Sequence, residues 1–343
     1  MILRMPVYCR DFACSADKCS DNCCIGWEID IDSKTADYYM NLGGEFGERL
    51  KKNISTDDGY SFILKNERCP FLNDRNLCDI ILNTGEDKLC YICDNHPRYY
   101  EWFSGIKEGG MGLCCEEAAM LIIKRGGETG YWDRAIPDEE CDEYDNELYD
   151  FLFQAREKLT ALFRNGNIPL STAVYSAVRY ADALQYMIDN GAIDEIADIE
   201  EMVCQGKKPD VENMLSFFGS LEPIDENWQP YIHELKGKRT ESELTSEQES
   251  YIRNIGIYFI WRYFMKGVFD EEIFSKVELA AVSMAVISLM FRAEPEGNAE
   301  SYACLAKNYS KEIEYCEENL QEIYDMSYTS ELFLADNLAA FLG

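Results

Sequence analysis

From about residue 140 to the C-terminus, apolar residues return every three or four positions, the period that lays one stripe along a helix. In YDNELYDFLFQAREKLTALFRNG the residues Leu148, Phe151, Leu152, Ala155, Leu159, Leu162 and Phe163 form such a stripe, and Gly166 supplies a stop. STAVYSAVRYADALQYMIDNG predicts the next helix, with a Ser or Thr cap at 171 or 172 and an end at Asn190-Gly191. SEQESYIRNIGIYFIWRYFMKG and EEIFSKVELAAVSMAVISLMFR each predict a helix of about twenty residues. The last forty-five residues add two or three more, broken near Ser327-Tyr328-Thr329-Ser330. Few segments alternate with period two and nothing suggests a parallel crossover, so residues 140–343 read as an all-α helical domain.

Upstream the pattern is less regular. CIGWEIDID (24–32) alternates and YSFIL (60–64) resembles a strand, whereas DSKTADYYMNL (32–42) and EEAAMLIIKR (116–125) predict helices. GGMG at 109–112 reads as a hairpin turn. Cysteine-bearing loops fill the rest, leaving little continuous core, so this part needs a metal or docking against the helices. The expected fold is therefore mainly α: an irregular cysteine-rich metal-binding N-terminal region (1–130) of short helices and a few short strands, packed on an all-α bundle (140–343). DRAIPDEECDEYDNE (133–147) reads as a polar spacer and HELKGKRTESELTSEQES (233–250) as an exposed loop.

Composition narrows this picture. With 343 residues, 47% hydrophobic and 13% aromatic, the chain does not need cross-links to fold. No apolar run of signal length follows MILRMPVYCRDFACSADKC, which places the chain in the cytoplasm, where thiols stay reduced. The best membrane candidate, LAAVSMAVISLMF (279–291), is thirteen residues and reads as a buried helix, so no membrane partner is expected. A formal charge of −32 argues against nucleic acid and favours a basic, lysine-bearing protein surface as partner.

Eleven of the fifteen cysteines lie in the first 115 residues. Cys204, Cys304 and Cys316, by contrast, read as buried small hydrophobes of the bundle. CSADKCSDNCC (14–24) is followed by Cys69 and Cys78, then by LCYICDNHPRYY with its Cys90-x2-Cys93 pair and His96, then by Cys114-Cys115. Soft thiolates at this density select zinc, Cu(I) or iron-sulfur clusters. A zinc ribbon needs two Cys-x2-Cys knuckles and only one is present. The irregular spacing suits an iron-sulfur cluster better than tetrahedral zinc, with redox or free thiols as the third reading. His96 is as well explained by a hydrogen bond in the core as by ligation.

PVYCRDFACSADKCSDNCCIGWEIDID, RCPFLNDRNLCDIILNTGEDKLCYICDNHPR and GLCCEEAAMLI resemble, in order, the blocks of the flagellin lysine-N-methylase family, part of a broader group named for its cysteine-cluster motif. The resemblance covers residues 5–125. It implies a protein-lysine methyltransferase acting on flagellin, S-adenosylmethionine as donor and an iron-sulfur cluster, 4Fe-4S in type, as cofactor. It also implies metal-site positions at Cys14, Cys19, Cys23, Cys24, Cys69, Cys78, Cys90, Cys93 and Cys115. Cys115 is preferred to Cys114 because it stands at the cysteine of a Ser-Cys-Pro-Glu-Ala-Ala-like block, with Cys114 and Glu116 replacing the serine and proline. His96-Pro97-Arg98 also fits, while Cys9 lies outside the pattern. Nine cysteines exceed the four one cubane takes, so either a second metal is bound or some thiols act otherwise.

Methyl transfer requires a neutral lysine amine, hence a proton acceptor. Glu28, Asp30, Asp32, Glu116, Glu117, Tyr91, Tyr99 and Tyr100 are the candidates in the matched region, and none stands out. No glycine-rich turn of the doubly wound type is present. Cys19-x3-Cys23 begins the cysteine motif of radical enzymes that cleave S-adenosylmethionine, but Gly26 occupies the place of the third cysteine. Two other classes stay open. One is a non-enzymatic iron-sulfur or zinc-binding interaction module. The other is a cytosolic redox sensor cycling Cys90 and Cys93, against which the nearby Asp94 would raise a thiol pKa.

Overall fold

The computed structural model describes residues 1–193, 196–204, 207–238 and 242–343. Its strands are β1 (Ile2–Pro6), β2 (Ile54–Ser55), β3 (Ser61–Phe62), β4 (Arg98–Phe103), β5 (Ile106–Met111) and β6 (Tyr131–Ala135). The helices of the first part are α1 (Ser33–Asn41), α2 (Gly44–Lys52), α3 (Asp79–Thr84), α4 (Tyr91–Asn95) and α5 (Glu116–Arg125). Then follow α6 (Asn146–Arg164), α7 (Leu170–Asp189), α8 (Val211–Phe218), α9 (Trp228–Leu235), α10 (Ser246–Tyr263), α11 (Gly267–Asp270), α12 (Phe274–Arg292), α13 (Ala299–Glu314), α14 (Glu317–Thr329) and α15 (Ala335–Ala340). The protein is mainly helical with a few short strands, and among the described residues no strand follows Ala135.

The chain forms two compact units. One, cysteine-rich, comprises Phe12–Tyr99 with Cys115–Glu117; the other, helical, comprises Met1–Asp11, Tyr100–Cys114 and Ala118–Gly343. The units are thus interleaved in sequence, and the dividing lines do not fall between 130 and 140. Strand pairing is the cause, because β1 runs parallel to β5 and antiparallel to β6, which ties the first residues to 106–135.

In the helical unit the sheet order is β4-β5-β1-β6. GGMG is not its hairpin turn. The turn falls at Ser104-Gly105, with Gly105 at φ +76°, and Gly109, Gly110 and Met111 are buried strand residues. β5 pairs with β1 at Ile106, Lys107 and Glu108 and continues through Met111, and the Trp261 indole donates to the Gly109 carbonyl at 3.1 Å.

Two buried helices, α10 and α12, pack on each other at the centre of this unit. Gly256 permits their approach: a Cβ there would stand 2.5 Å from the sulfur of Met284. The α12 helix runs six residues beyond the thirteen-residue apolar run, to nineteen in all, and is long and apolar enough to cross a membrane by length and composition. Of that window, 94% is buried inside the protein, the environment of a core helix. Thr245 opens α10 with a capping box in which Gln248 reciprocates.

Several local expectations are corrected. Helix α7 starts at Leu170 after Pro169, so Ser171 and Thr172 lie inside it instead of capping it; proline's fixed φ suits a helix start. The 233–250 stretch is not all loop: its ends belong to α9 and α10, and residues 239–241 lie outside the described residues. Of the three cysteines expected in the bundle core only Cys316 is buried; Cys204 is half-buried and Cys304 exposed. The 24–32 segment forms only isolated bridges, Ile25 to Arg68 and Asp30 to Ser61.

The cysteine-rich unit has a core of its own, contrary to expectation. Ile29, Ile31, Ala36, Tyr39, Leu50, Ile54, Phe62, Phe71, Leu72 and Ile80 are buried together with Cys69 and Cys90. Its apolar residues are scattered over short elements, so no single periodic stripe announces them.

Candidate functional site

Within the cysteine-rich unit, three polar side chains hold the cysteine loops. Asp32 caps α1, its Oδ1 accepting the Thr35 amide at 3.0 Å, while Oδ2 accepts the Tyr91 amide at 2.9 Å. Burial acts to raise its pKa, but the amides of Tyr91 and Thr35 outweigh this and hold the carboxylate below its usual range. Arg49 donates to the Asp79 carboxylate and to the Pro70 carbonyl, both at 2.7 Å, and lies 5.2 Å from the Phe71 ring centroid. Asn73 adds a bond to Asp79 Oδ1 at 2.9 Å, so the loop from Cys69 to Cys78 is pinned at both ends.

A two-residue turn delivers Cys69. Asn66 and Glu67 both take left-handed conformations (φ 51° and 61°), and Lys65 and Arg68 exchange backbone bonds of 2.9 and 3.1 Å across it. The Cys69 amide then donates to the Cys24 carbonyl at 2.8 Å, joining the two cysteine loops. Cys78 and Cys90 stand immediately before α3 and α4.

Six thiols are electrostatically linked: Cys23, Cys24, Cys69, Cys78, Cys90 and Cys93. Cys23 with Cys24, and Cys90 with Cys93, form sulfur-to-sulfur hydrogen-bonded pairs. In each the first thiol is pushed down by its partner's hydrogen bond, and the second is pushed up by the same bond and by burial. Cys24 also feels charge on Cys69 and Cys78, and Cys93 feels Cys24 and Cys69. Cys69 is pushed up to about 11, first by burial, against the Phe71 amide, and further by Cys78 and Cys90. Burial likewise raises Cys78 against the amides of Ile81 and Ile80. Beside them Tyr39 is fully buried, with its hydroxyl on the Lys88 carbonyl at 2.7 Å.

The other expected positions are placed differently. Cys14 is exposed and its sulfur accepts the Ala16 amide at 3.4 Å. Cys19 donates to the Asp21 carbonyl at 3.2 Å and lies 3.8 Å from a Glu116 oxygen. Cys115 is half-buried at the start of α5. Cys9 and Cys114 belong to the helical unit, where the Cys114 thiol donates to the Tyr315 hydroxyl at 2.9 Å. His96 is half-buried, and burial and then Arg98 lower its pKa, favouring the neutral ring. Two base candidates are committed elsewhere: Asp32 to its amides, and Glu116 to the Ser20 amide and hydroxyl at 2.9 and 2.7 Å. Tyr100 lies under the Lys107 ammonium at 4.5 Å.

All fifteen cysteines are free thiols. Among the described residues, no three His, Cys, Asp or Glu side chains stand close enough to ligate one metal ion as placed. Tetrahedral zinc, with Zn–S near 2.3 Å, would bring four sulfurs within about 3.8 Å of one another. The arrangement here is two tight pairs and two further thiols. This donor set is all soft and gathered from four separate loops, and four of its thiols, Cys24, Cys69, Cys78 and Cys93, are raised in pKa, burial among the causes, a penalty a bound cation reverses. Its donors are all thiols, the kind that zinc sites and iron-sulfur clusters alike take.

Residues 156–341, most of the helical unit, match the profile described as FliB lysine N-methylase C-terminal domain. The chain belongs to the FliB lysine N-methylase family. The match lies in the part of the chain that carries no chemical motif, whereas the cysteine blocks lie ahead of it. The protein is 23% identical over 209 residues to proteins named Lysine-N-methylase from Salmonella choleraesuis and Salmonella typhimurium, covering 57% of this chain and 51% of each relative. It is 27% identical over 126 residues to Flagellar biosynthetic protein FliU of Salmonella muenchen, covering 34% of this chain and 75% of that one. The chain spans about half the length of the lysine-N-methylases it matches. No solved structure matches it.

Proposed function

We propose that this protein is a cytoplasmic lysine N-methyltransferase that takes methyl groups from S-adenosylmethionine, acts on flagellin, and carries an iron-sulfur cluster in its cysteine-rich unit. The observation that carries the reading is the linkage of six sequence-distant thiols in a chain whose helical unit matches the FliB family. Cys24, Cys69, Cys78, Cys90 and Cys93 would hold the cluster, with Cys23 at its rim. When bound, such a cluster supplies a redox-capable, thiolate-anchored centre.

In the transfer, the lysine nitrogen attacks the donor's methyl carbon; the N–C bond forms as the S–C bond breaks, and the electron pair stays on sulfur. The ammonium proton must leave beforehand. The formal charge of −32 steers a lysine-bearing surface toward the protein. Asp32 holds α1 and α4 in place of accepting that proton.

Metal-replete protein incubated with methyl-labelled S-adenosylmethionine and flagellin is expected to place label on lysine side chains. Absence of label on any flagellin lysine would overturn the proposal. One observation favours a second reading: the hydrogen-bonded Cys90–Cys93 pair also suits a dithiol-disulfide couple. That reading requires reversible loss of two thiols in iron-free protein.

A further inference from the structure

In a chain with 64 acidic and 32 basic side chains, one cavity of the helical unit keeps positive charge uncompensated. It measures about 510 Å³ and lies where the ends of α5 and α6 meet the start of α10. Lys124, Arg125, Arg164 and Arg253 line it, with the carboxylates of Glu128 and Glu249.

Both carboxylates are spent. Glu128 accepts from Arg125 at 2.7 and 2.9 Å, one bond to each oxygen, and Glu249 accepts from Arg253 at 3.1 and 2.6 Å. Arg253 is 6% exposed, and its other bonds go to the carbonyls of Phe163, Asn165 and Ile168. Arg164 is half-buried, yet it reaches only neutral acceptors, the Gly127 carbonyl at 3.1 Å and the Thr160 hydroxyl at 3.3 Å, which leaves its Nη2 without an acceptor among the described residues. Lys124 is exposed and has no partner among the described residues. Two positive charges therefore line the cavity with no carboxylate set against them.

Helix α10 adds uncharged donors. Ser246, Glu249, Ser250 and Arg253 recur every three or four residues, so one face of the helix forms this wall. The capping box occupies the amides of Thr245 and Gln248 and leaves that of Ser246, the first residue of the helix, without an acceptor among the described residues. The start of a helix favours an anion through such amides and through its dipole.

We propose that this cavity binds a phosphate group, carried on a small organic molecule or free in solution. A phosphomonoester bears about −1.5 to −2 charge near pH 7, which matches the two uncompensated cations, whereas a carboxylate supplies about half of that. Its three terminal oxygens serve Lys124, Arg164 Nη2 and the start of α10 together, and a carboxylate has one oxygen too few. The cavity volume leaves room beside the phosphate for an organic remainder. Methyl transfer neither consumes nor releases phosphate, so this site stands apart from the reaction proposed above and does not rest on it.

Calorimetric titration of the full-length, metal-replete protein in chloride buffer with inorganic phosphate, glycerol 3-phosphate and acetate tests this. Saturable binding of a phosphate is expected, with acetate at least about tenfold weaker. Tighter binding of glycerol 3-phosphate assigns the site to an organic phosphate, and inorganic phosphate at least as tight assigns it to the free ion. Lys124→Glu should weaken phosphate binding at least about tenfold and Lys124→Arg should change it less than about twofold, because one charge of the pair is reversed in the first and kept in the second. Ser250→Glu, at an exposed position of the same wall, should also weaken it by adding a carboxylate. Both charge variants should keep the wild-type unfolding midpoint in phosphate-free buffer. No saturable binding of either phosphate by the wild type would overturn the proposal. So would acetate binding as tightly as phosphate, or an affinity unaltered in both Lys124→Glu and Ser250→Glu.

Discussion

The two units bury their interiors by different means. In the helical unit, α12 buries eighteen of its nineteen residues against α7, α10, α13, α14 and α15, and the first four of these partners are each 13 residues or longer, enough to present a stripe. In the cysteine-rich unit the longest helices are nine residues, and two of the twelve core residues are cysteines. Short helices are marginal without tertiary support. The helical unit thus builds its interior from the packing of long helices, whereas the other has built its proposed chemistry into its core. Charge follows the same division. The helical unit carries buried ion pairs such as Arg156–Glu108, held by two hydrogen bonds of 2.5 and 2.8 Å. The cysteine-rich unit carries hydrogen-bonded thiol pairs in which one thiol's pKa is pushed down and the other's up.

The largest expected effect separates the units outright. Cys90 has no exposed surface, and Cys90→Ser should abolish iron binding and strip amide-exchange protection from residues 12–99 while α10 and α12 stay protected. Unchanged protection in 12–99 after iron loss would show that the unit stands without its centre.

Next, within the helical unit, Glu314 accepts from Arg262 at 3.0 Å and from the hydroxyls of Tyr258 and Tyr263, each at 2.9 Å. Glu314→Ala removes the carboxylate that faces the buried guanidinium, and should cost about 3–5 kcal/mol in denaturant unfolding. A loss below about 1 kcal/mol would mean that water reaches Arg262.

A pH effect should also arise in that unit. Glu278 is 2% exposed and burial raises its pKa to about 8. The unfolded chain ionises near 4.3, so folding takes up a proton between those values. Stability should therefore fall as pH rises from about 4.3 to 8, by up to about 1.4 kcal/mol per unit, and level off above. Glu278→Gln should flatten that profile; an unchanged slope would place the proton elsewhere.

The smallest effect tests the start of α10. Thr245→Ala removes the hydroxyl that accepts the Gln248 amide at 3.2 Å and should cost about 1 kcal/mol, read from the unfolding midpoint.

Much of the helical unit was legible. The sequence-based limits of α5 coincide with the observed Glu116–Arg125; α6 was visible because it repeats its apolar positions along one stripe, and α10 and α12 as long, largely apolar runs. The sheet was not, because β1 finds its partners about a hundred residues away and no local pattern encodes a distant pairing. In the cysteine-rich unit the ligand-type residues were conspicuous by composition. The side chains that position them were less so. The Asp32 cap was signalled by an aspartate opening a helical stretch, whereas nothing local couples Arg49 to Pro70 and Asp79.

By itself, the sequence determined the helical character of the second half, the excess of negative charge and the identity of the soft donors, because periodicity, charge and thiol chemistry are properties of residues and their near neighbours. Only the tertiary structure decided that the first eleven residues join the helical unit, that six of the nine expected cysteines share one electrostatic neighbourhood, and that basic side chains of α5, α6 and α10 line one cavity. Each of these depends on which distant segments pack together, and that is settled by burial over the whole chain.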